Sequence, residues 1–195
     1  MARGWEDVAA EIAAKRIEDK EARTCALLGV AEDCADLPAN PLTARQMLLL
    51  EYAGCAFMCG GEVTPGDVVQ FLWVISPEYS TDVKEATAFS RKIGGIQFTS
   101  AAESIKRWLE LQLLDIPAGR PTGKISGRVW LAQYVDLFAH QYGWSDDRIL
   151  DTPILRLGQY KNEILARLNG DAGEPSSARE DRLKAEWLRE QQRNG

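Results

Sequence analysis

The chain has little of what marks a nucleic-acid-binding or membrane protein. It has one histidine, and its 23 basic side chains are outnumbered by 29 acidic ones, which gives a formal net charge of −6. A dedicated nucleic-acid-binding protein usually carries a basic excess on one element, so this balance argues against that class. The apolar stretch from Met47 to Cys59 is interrupted by Glu51 and is shorter than the ~20 residues that a membrane-spanning helix needs. We therefore expect neither a nucleic-acid partner nor a membrane span.

The cysteines do not form a recognisable disulfide or metal-binding pattern. There are four, namely Cys25, Cys34, Cys55 and Cys59. The N-terminus lacks the apolar segment of a signal peptide, so we expect a cytoplasmic chain with reduced thiols that pack as small apolar side chains. Cys55 and Cys59 would share a helix face, but the second pair of ligands that zinc needs is not near them in sequence. No metal and no other cofactor is predicted.

No residue combination in the sequence indicates catalysis. Residues 119–124 place three residues between two glycines and Ile125 after Lys124, whereas a phosphate-binding loop needs four residues and then Ser or Thr. Arg120 and Lys124 of this loop are instead expected to contact an acidic partner surface. His140 has no nucleophile or substrate partner that could make it a general base, and Glu51 is expected to have a structural role. The chain is therefore predicted not to be an enzyme.

Helix-capping signals divide most of the sequence into helices. Thr43 with Gln46, and Thr64 with Pro65 and Asp67, are typical of helix starts, and the Met47–Cys59 stretch is apolar nearly all round, which predicts a central buried helix. Counting caps and stops, helices are expected at residues 5–28, 43–59, 64–76, 82–93, 100–117, 126–142 and 152–169. Residues 30–41 are expected to be an irregular connector, and no strand pair with a tight hairpin signal is evident. The prediction is an all-α fold.

The C-terminal part has a different composition from the rest. We expect a compact multi-helix domain over residues 1–170, followed at 171–195 by a flexible linker and a charged amphipathic helix. Leu183, Trp187 and Leu188 form the narrow apolar stripe of that helix, and they are expected to contact a partner or to self-associate. The other five tryptophans, Trp73 among them, lie on or beside core helices and are expected to pack there.

Two segments carry patterns that are similar to those of a known family. The first begins Pro-Leu-Thr-Ala-Arg-Gln-Met-Leu-Leu-Leu-Glu at residues 41–51 and continues to Ser76. The second is Tyr-Gly-Trp-Ser at 142–145 with Ile-Leu-Asp-Thr-Pro at 149–153 and Gln159-Tyr160. Both segments resemble bacteriophage tail assembly chaperones, the small proteins that accompany the tape-measure protein while a phage tail is built. The resemblance implies that the chain covers apolar helical stripes of the tape-measure protein, or of other tail proteins, in the host bacterial cytoplasm. The family has no catalytic residues to carry over.

The sequence is also compatible with a second function, that of a structural virion component such as a connector or tail protein that stays in the particle. Trp144, in the second segment, is also open to two interpretations. A buried Trp144 would stabilise the corner between two helices, whereas an exposed Trp144 would belong to a partner-binding surface together with Leu183, Trp187, Leu188, Arg120 and Lys124.

Overall fold

The computed structural model describes residues 5–116 and 131–169, and these residues form nine helices and one two-stranded sheet. The helices are α1 (Trp5–Leu28), α2 (Ala44–Tyr52), α3 (Ala56–Cys59), α4 (Pro65–Ile75), α5 (Val83–Lys92), α6 (Phe98–Gln112), α7 (Ala132–Tyr142), α8 (Asp146–Leu150) and α9 (Ile154–Asn169). The sheet lies between α1 and α2. The prediction of a compact, predominantly helical fold is confirmed, and the linker and helix predicted at 171–195 lie outside the described residues.

The core is centred on the packing of α4 against α6. The Phe71 ring of α4 meets the Trp108 ring of α6 edge-on, with 6.0 Å between ring centroids. Ile75 and Ile105, on the same two helices, are also buried. Removing an aliphatic or aromatic side chain of this size from water contributes roughly 1.5–3 kcal/mol, so these residues account for much of the stability of the domain. They also fix the position of α4, one wall of the groove described below.

The predicted helix starts at Thr43 and Thr64 are confirmed, and Ser145 caps a further short helix. The Thr43 hydroxyl accepts a hydrogen bond from the Gln46 N–H, and the Gln46 amide oxygen accepts one from the Thr43 N–H, which completes a capping box. Thr64 and Asp67 form the same reciprocal pair at the start of α4. Ser145 caps α8 by accepting from the Arg148 N–H. Each cap satisfies backbone donors that a helix start otherwise leaves unpaired.

Asp67 also connects α4 to α3. Its carboxylate accepts hydrogen bonds from the Ala56 N–H at 2.8 Å, from the Thr64 N–H at 2.8 Å and from the Thr64 hydroxyl at 2.5 Å. The Thr64 hydroxyl, the Ala56 N–H and the Thr64 N–H together lower the pKa of Asp67, because all three favour the ionised form. The negative charge therefore stabilises the start of both helices.

We expect Asp67→Asn to lower the free energy of unfolding by about 1 kcal/mol near neutral pH, the usual cost of a weakened cap. Because the folded-state pKa is below the unfolded value, this stabilisation is present above about pH 4 and is lost as the pH falls through the folded pKa. Urea unfolding of both proteins at several pH values measures the difference. A difference that stays constant down to about pH 2 would show that the carboxylate charge is not responsible.

The prediction of one buried helix from Met47 to Cys59 is wrong. The chain leaves the helical conformation after Tyr52, and Gly54 takes a positive φ of 72° before the single turn of α3. Tyr52 is 93% exposed, so this stretch is not buried all round. Cys55 is buried before α3 begins, whereas Cys59 is exposed at its end. The apolar composition concealed the break, which depends on a glycine in the left-handed region.

The connector predicted at residues 30–41 contains an antiparallel hairpin formed by β1 (Glu32–Cys34) and β2 (Leu37–Ala39). Its two-residue turn consists of Ala35 and Asp36, whose φ values are +53° and +60°. This conformation suits the twist of a hairpin, but it is usually adopted by Asn-Gly or Asp-Gly. The strands are three residues long and one contains Pro38, so neither alternation nor turn composition signalled them.

The predicted start of α6 is also wrong. The helix begins at Phe98, after Gln97 in the N-cap position, and the Gln97 side chain makes no capping hydrogen bond. Ser100 and Glu103, a Ser-x-x-Glu pair at the predicted helix start, lie inside the helix and are exposed. A Ser-x-x-Glu pattern is therefore compatible with a helix interior when the helix starts earlier.

The long first helix is held on the body by α9. Arg156 donates from Nε to the Ala26 carbonyl at 3.0 Å and from its terminal nitrogen to the Leu27 carbonyl. Gln159 donates to the Arg23 carbonyl at 3.2 Å. Leu155 packs with Ala22 and Ala26 in a second, smaller apolar cluster. Side chains of α9 therefore satisfy the carbonyls at the C-terminal end of α1.

Candidate functional site

The two segments that carry the family resemblance meet in the fold. The Ile154 N–H at the start of α9 donates to the Leu42 carbonyl at 2.7 Å, just before α2. Thr43 and Pro153 form an isolated antiparallel β-bridge beside it. The first segment therefore forms one structural unit with the second, although the residues in contact are more than a hundred positions apart in sequence.

Arg45 adds a charged contact at the same junction. Its guanidinium lies 2.9 Å from a carboxylate oxygen of Asp147 and 2.5 Å from one of Asp151. Hydrogen bonds from Arg45 to these two carboxylates raise the pKa of the guanidinium, which stays protonated. All three side chains are exposed, and exposed ion pairs typically contribute ~1 kcal/mol or less. The network therefore orients α2 relative to α8 more than it stabilises the fold.

Four rings of the second segment and the helix before it form a cluster that we call the aromatic corner, consisting of Phe138, Tyr142, Trp144 and Tyr160. The Trp144 ring stacks on Phe138 at 5.8 Å and lies edge-on to Tyr160 at 5.9 Å. Tyr142 stacks on Phe138 at 6.1 Å. Gly143, which takes a left-handed φ of 64°, ends α7 and turns the chain so that these rings converge.

Trp144 is half-buried and packs against its neighbours, while its partner-binding role stays a prediction. Its ring packs in the aromatic corner, and the Arg148 guanidinium carbon lies 4.3 Å from its centroid, within the range of a cation–π interaction. The neighbouring Tyr142 is 43% exposed. The corner therefore fixes α7, α8 and α9 together and also presents aromatic surface to solvent.

The other residues predicted to bind a partner lie outside the described residues. They are Arg120 and Lys124, which follow α6 in sequence, and Leu183, Trp187 and Leu188 near the C-terminus. Their partner-binding role stays a prediction.

An open apolar depression lies between α4 and α5, and we call it the groove. It has a volume of about 420 Å³ and is lined mainly by Gly66, Val69 and Trp73 of α4 and by Ala86 and Ser90 of α5. The α4 residues recur at three- and four-residue spacings, so they form one face about 10 Å long. The groove is walled by two helices and stays open to solvent along that face.

A second depression, which we call the acidic notch, shares the Trp73 ring with the groove. Its volume is about 360 Å³, and Glu78, Glu85, Phe89 and Lys92 lie around it. Lys92 pairs with Glu78 at 2.8 Å. Glu85 accepts a hydrogen bond from the Ser80 hydroxyl and forms no ion pair with another described residue. The notch therefore carries one net negative charge.

The sequence did not predict the groove, because the helical pattern around Trp73 indicated core packing for this side chain. The ring does pack on Phe89 at 5.1 Å and on Tyr79 at 5.6 Å, but it remains half-buried. The available signal was the polar and small residues on the same face of α4, Gly66 and Gln70. A helix whose every face enters a core rarely carries them together.

Three of the four cysteines, Cys25, Cys34 and Cys55, are partly or fully buried among the described residues, and Cys59 is exposed. Burial is the main cause of a raised pKa for Cys25, Cys34 and Cys55, and it raises the pKa of Cys34 to about 12. Thiols in this state are protonated near neutral pH and are poor nucleophiles. Within residues 5–116 and 131–169, no group of three or more His, Cys, Asp and Glu side chains is placed to hold a metal ion.

Glu32 and Gln112 form a polar link inside the fold. The Gln112 amide nitrogen donates to Glu32 at 3.0 Å, and the Gln112 amide oxygen accepts from the Leu42 N–H at 3.1 Å. Burial raises the pKa of Glu32, and hydrogen bonds from Cys25 and Gln112 partly oppose this shift. The link joins α6 to β1 and to Leu42, which precedes the cap of α2, so the role of these two side chains is structural.

Each helix in the described ranges falls short of the length or the hydrophobicity needed to cross a bilayer. Comparison with known proteins finds no matching family model, no similar curated protein and no similar solved structure. The function is therefore inferred from the surfaces of the described residues and from the resemblance of the two segments.

Proposed function

We propose that this protein is a bacteriophage tail assembly chaperone that binds the tape-measure protein and shields its apolar helical stripes during tail assembly in the host cytoplasm. The observation that carries the proposal is the groove, where Val69, Trp73 and Ala86 offer an apolar, concave surface between two helices. A groove between two helices is one of the surfaces on which proteins bind amphipathic partner helices. The resemblance supplies the class of partner.

The shape of the groove suits a helix better than a small molecule. A small-molecule site usually encloses most of its ligand and places several polar groups around it, whereas this depression is open along α4. An amphipathic helix that binds in a groove uses apolar side chains at three- and four-residue intervals. Gly66, Val69 and Trp73 follow the same spacing on the receiving side, so two turns of a partner helix can lie along them.

The two resembling segments adjoin in the fold. The first segment contacts the second through the Ile154–Leu42 hydrogen bond and through the ion pairs of Arg45. The residues that carry the resemblance therefore lie together at one junction of the domain.

Co-purification tests the proposal. The full chain is expressed with overlapping fragments of the tape-measure protein encoded in the same genome, and with fragments of the tail-tube protein as controls. We expect the chain to retain at least one tape-measure fragment and no tail-tube fragment. If it retains none of the tape-measure fragments, the proposed function is wrong.

A further inference from the structure

The groove and the acidic notch adjoin at Trp73, so a partner that fills the groove reaches the notch. The Trp73 ring lines both depressions, and its packing against Phe89 separates them. The Trp73 ring therefore borders the apolar groove, where a partner would pack, and also borders the notch, where the Glu78 and Glu85 carboxylates lie. A bound helix would lie with one edge of its apolar stripe beside Glu78 and Glu85.

The charges of the notch determine which charged side chains should border the apolar stripe of a bound helix. Glu78 already has Lys92 as a partner at 2.8 Å, while Glu85 has a neutral hydroxyl donor and no cation among the described residues. A basic side chain at the edge of the partner's stripe would pair with Glu85, and an acidic one would be repelled by both carboxylates. The net charge of −6 on the whole chain acts in the same direction at longer range.

We infer that the groove and the acidic notch form one docking surface for an amphipathic helix whose apolar stripe is bordered by lysine or arginine. This inference rests on the proposed function, and it narrows the segments of a tape-measure protein that the chain recognises. They are helices with an apolar face and a basic edge, so helices with an acidic edge are excluded.

Two short synthetic peptides test the inference on the full-length chain. Both carry the same leucine stripe at three- and four-residue spacing, and they differ only in whether lysines or glutamates border it. By fluorescence anisotropy we expect the lysine peptide to bind about tenfold more tightly, with a preference that shrinks as salt rises because the charges are exposed. Equal affinity of the two peptides would overturn the inference.

Variants that replace glutamate by the uncharged glutamine test whether the acidic notch causes the preference for lysine. In the double variant Glu78→Gln, Glu85→Gln the preference for lysine should fall to about twofold or less. Glu163→Gln removes an acid from the exposed surface of α9, which does not line the groove, and it should keep the full preference. If Glu163→Gln reduces the preference as much as the double variant does, net charge and not the notch is responsible, and the inference is wrong.

The outcomes separate this inference from the proposed function. Retention of a tape-measure fragment together with equal binding of the two peptides would leave the function standing and reject the docking chemistry. A lysine preference that depends on Glu78 and Glu85, without retention of any tape-measure fragment, would support the docking chemistry and reject the function. Dimerisation of the chain that Ala86→Gln abolishes would make a second copy the occupant and would overturn the inference.

Discussion

Phe138→Ala should lower the free energy of unfolding by about 4 kcal/mol, the largest effect that we expect from a single substitution. Phe138 is fully buried and lies at the centre of the aromatic corner, where its ring has Tyr134, Tyr142 and Trp144 as neighbours at 5.8–6.3 Å. Truncation removes the ring from the core and leaves a cavity that the surrounding rings fill only in part. Each lost aromatic pair adds roughly 0.5–1.5 kcal/mol to the loss from burial.

Urea unfolding measures this loss, with Leu168→Ala as the matched control. Leu168 lies on α9 and is 73% exposed, so its truncation should change the free energy of unfolding by no more than about 0.5 kcal/mol. A loss below about 1 kcal/mol for Phe138→Ala would mean that the corner does not hold α7, α8 and α9 together.

Gly158→Ala should lower the free energy of unfolding by about 2 kcal/mol, although alanine is the better helix former. A Cβ at residue 158 of α9 would lie 2.7 Å from the Asp115 Cβ and 3.0 Å from the Asp115 carbonyl oxygen. The Asp115 side chain is held in place because both of its oxygens accept hydrogen bonds from Arg23 at 2.8 Å. Overpacking costs up to ~3 kcal/mol, which exceeds the ~1 kcal/mol gained from helix propensity.

Gly66→Ala is the matched control for this change, because it also replaces a helical glycine. A Cβ at residue 66 would have one neighbour, the Thr64 hydroxyl oxygen at 3.5 Å, which is an ordinary contact. This variant should be as stable as the wild-type protein or more stable by up to about 1 kcal/mol. If Gly158→Ala also proves more stable, then α9 is not in close contact with Asp115.

Local signals in the sequence predicted the helices but not their arrangement. Capping pairs such as Thr43 with Gln46 are read within four residues, and they were found correctly. Breaks that depend on unusual backbone conformations were missed, namely Gly54 inside an apolar stretch and the Ala35–Asp36 turn. In these cases tertiary packing and not local propensity determines the conformation.

The candidate site was even less predictable, because it depends on which helix faces remain uncovered. The only sequence signal near Trp73 is the presence of Gly66 and Gln70 on the same helix face, yet Trp108 is buried while Trp73 lines an open groove. Arg45 and Asp151 are 106 residues apart, so their contact followed from neither spacing nor composition. The sequence pattern favoured Trp187 because it lies in a segment predicted to be a charged helix, and that segment lies outside the described residues.

The groove between α4 and α5 is the surface that we propose binds a helix of the tape-measure protein. The most direct test repeats the co-purification with Ala86→Gln, which extends a polar side chain from the wall of the groove, beside Ala14→Gln, the same change on the exposed surface of α1. Both variants should melt like the wild-type protein, so that loss of binding does not reflect unfolding. Retention of the tape-measure fragment by Ala14→Gln and its loss by at least about tenfold in Ala86→Gln is the expected result. Equal retention by the two variants would contradict the claim.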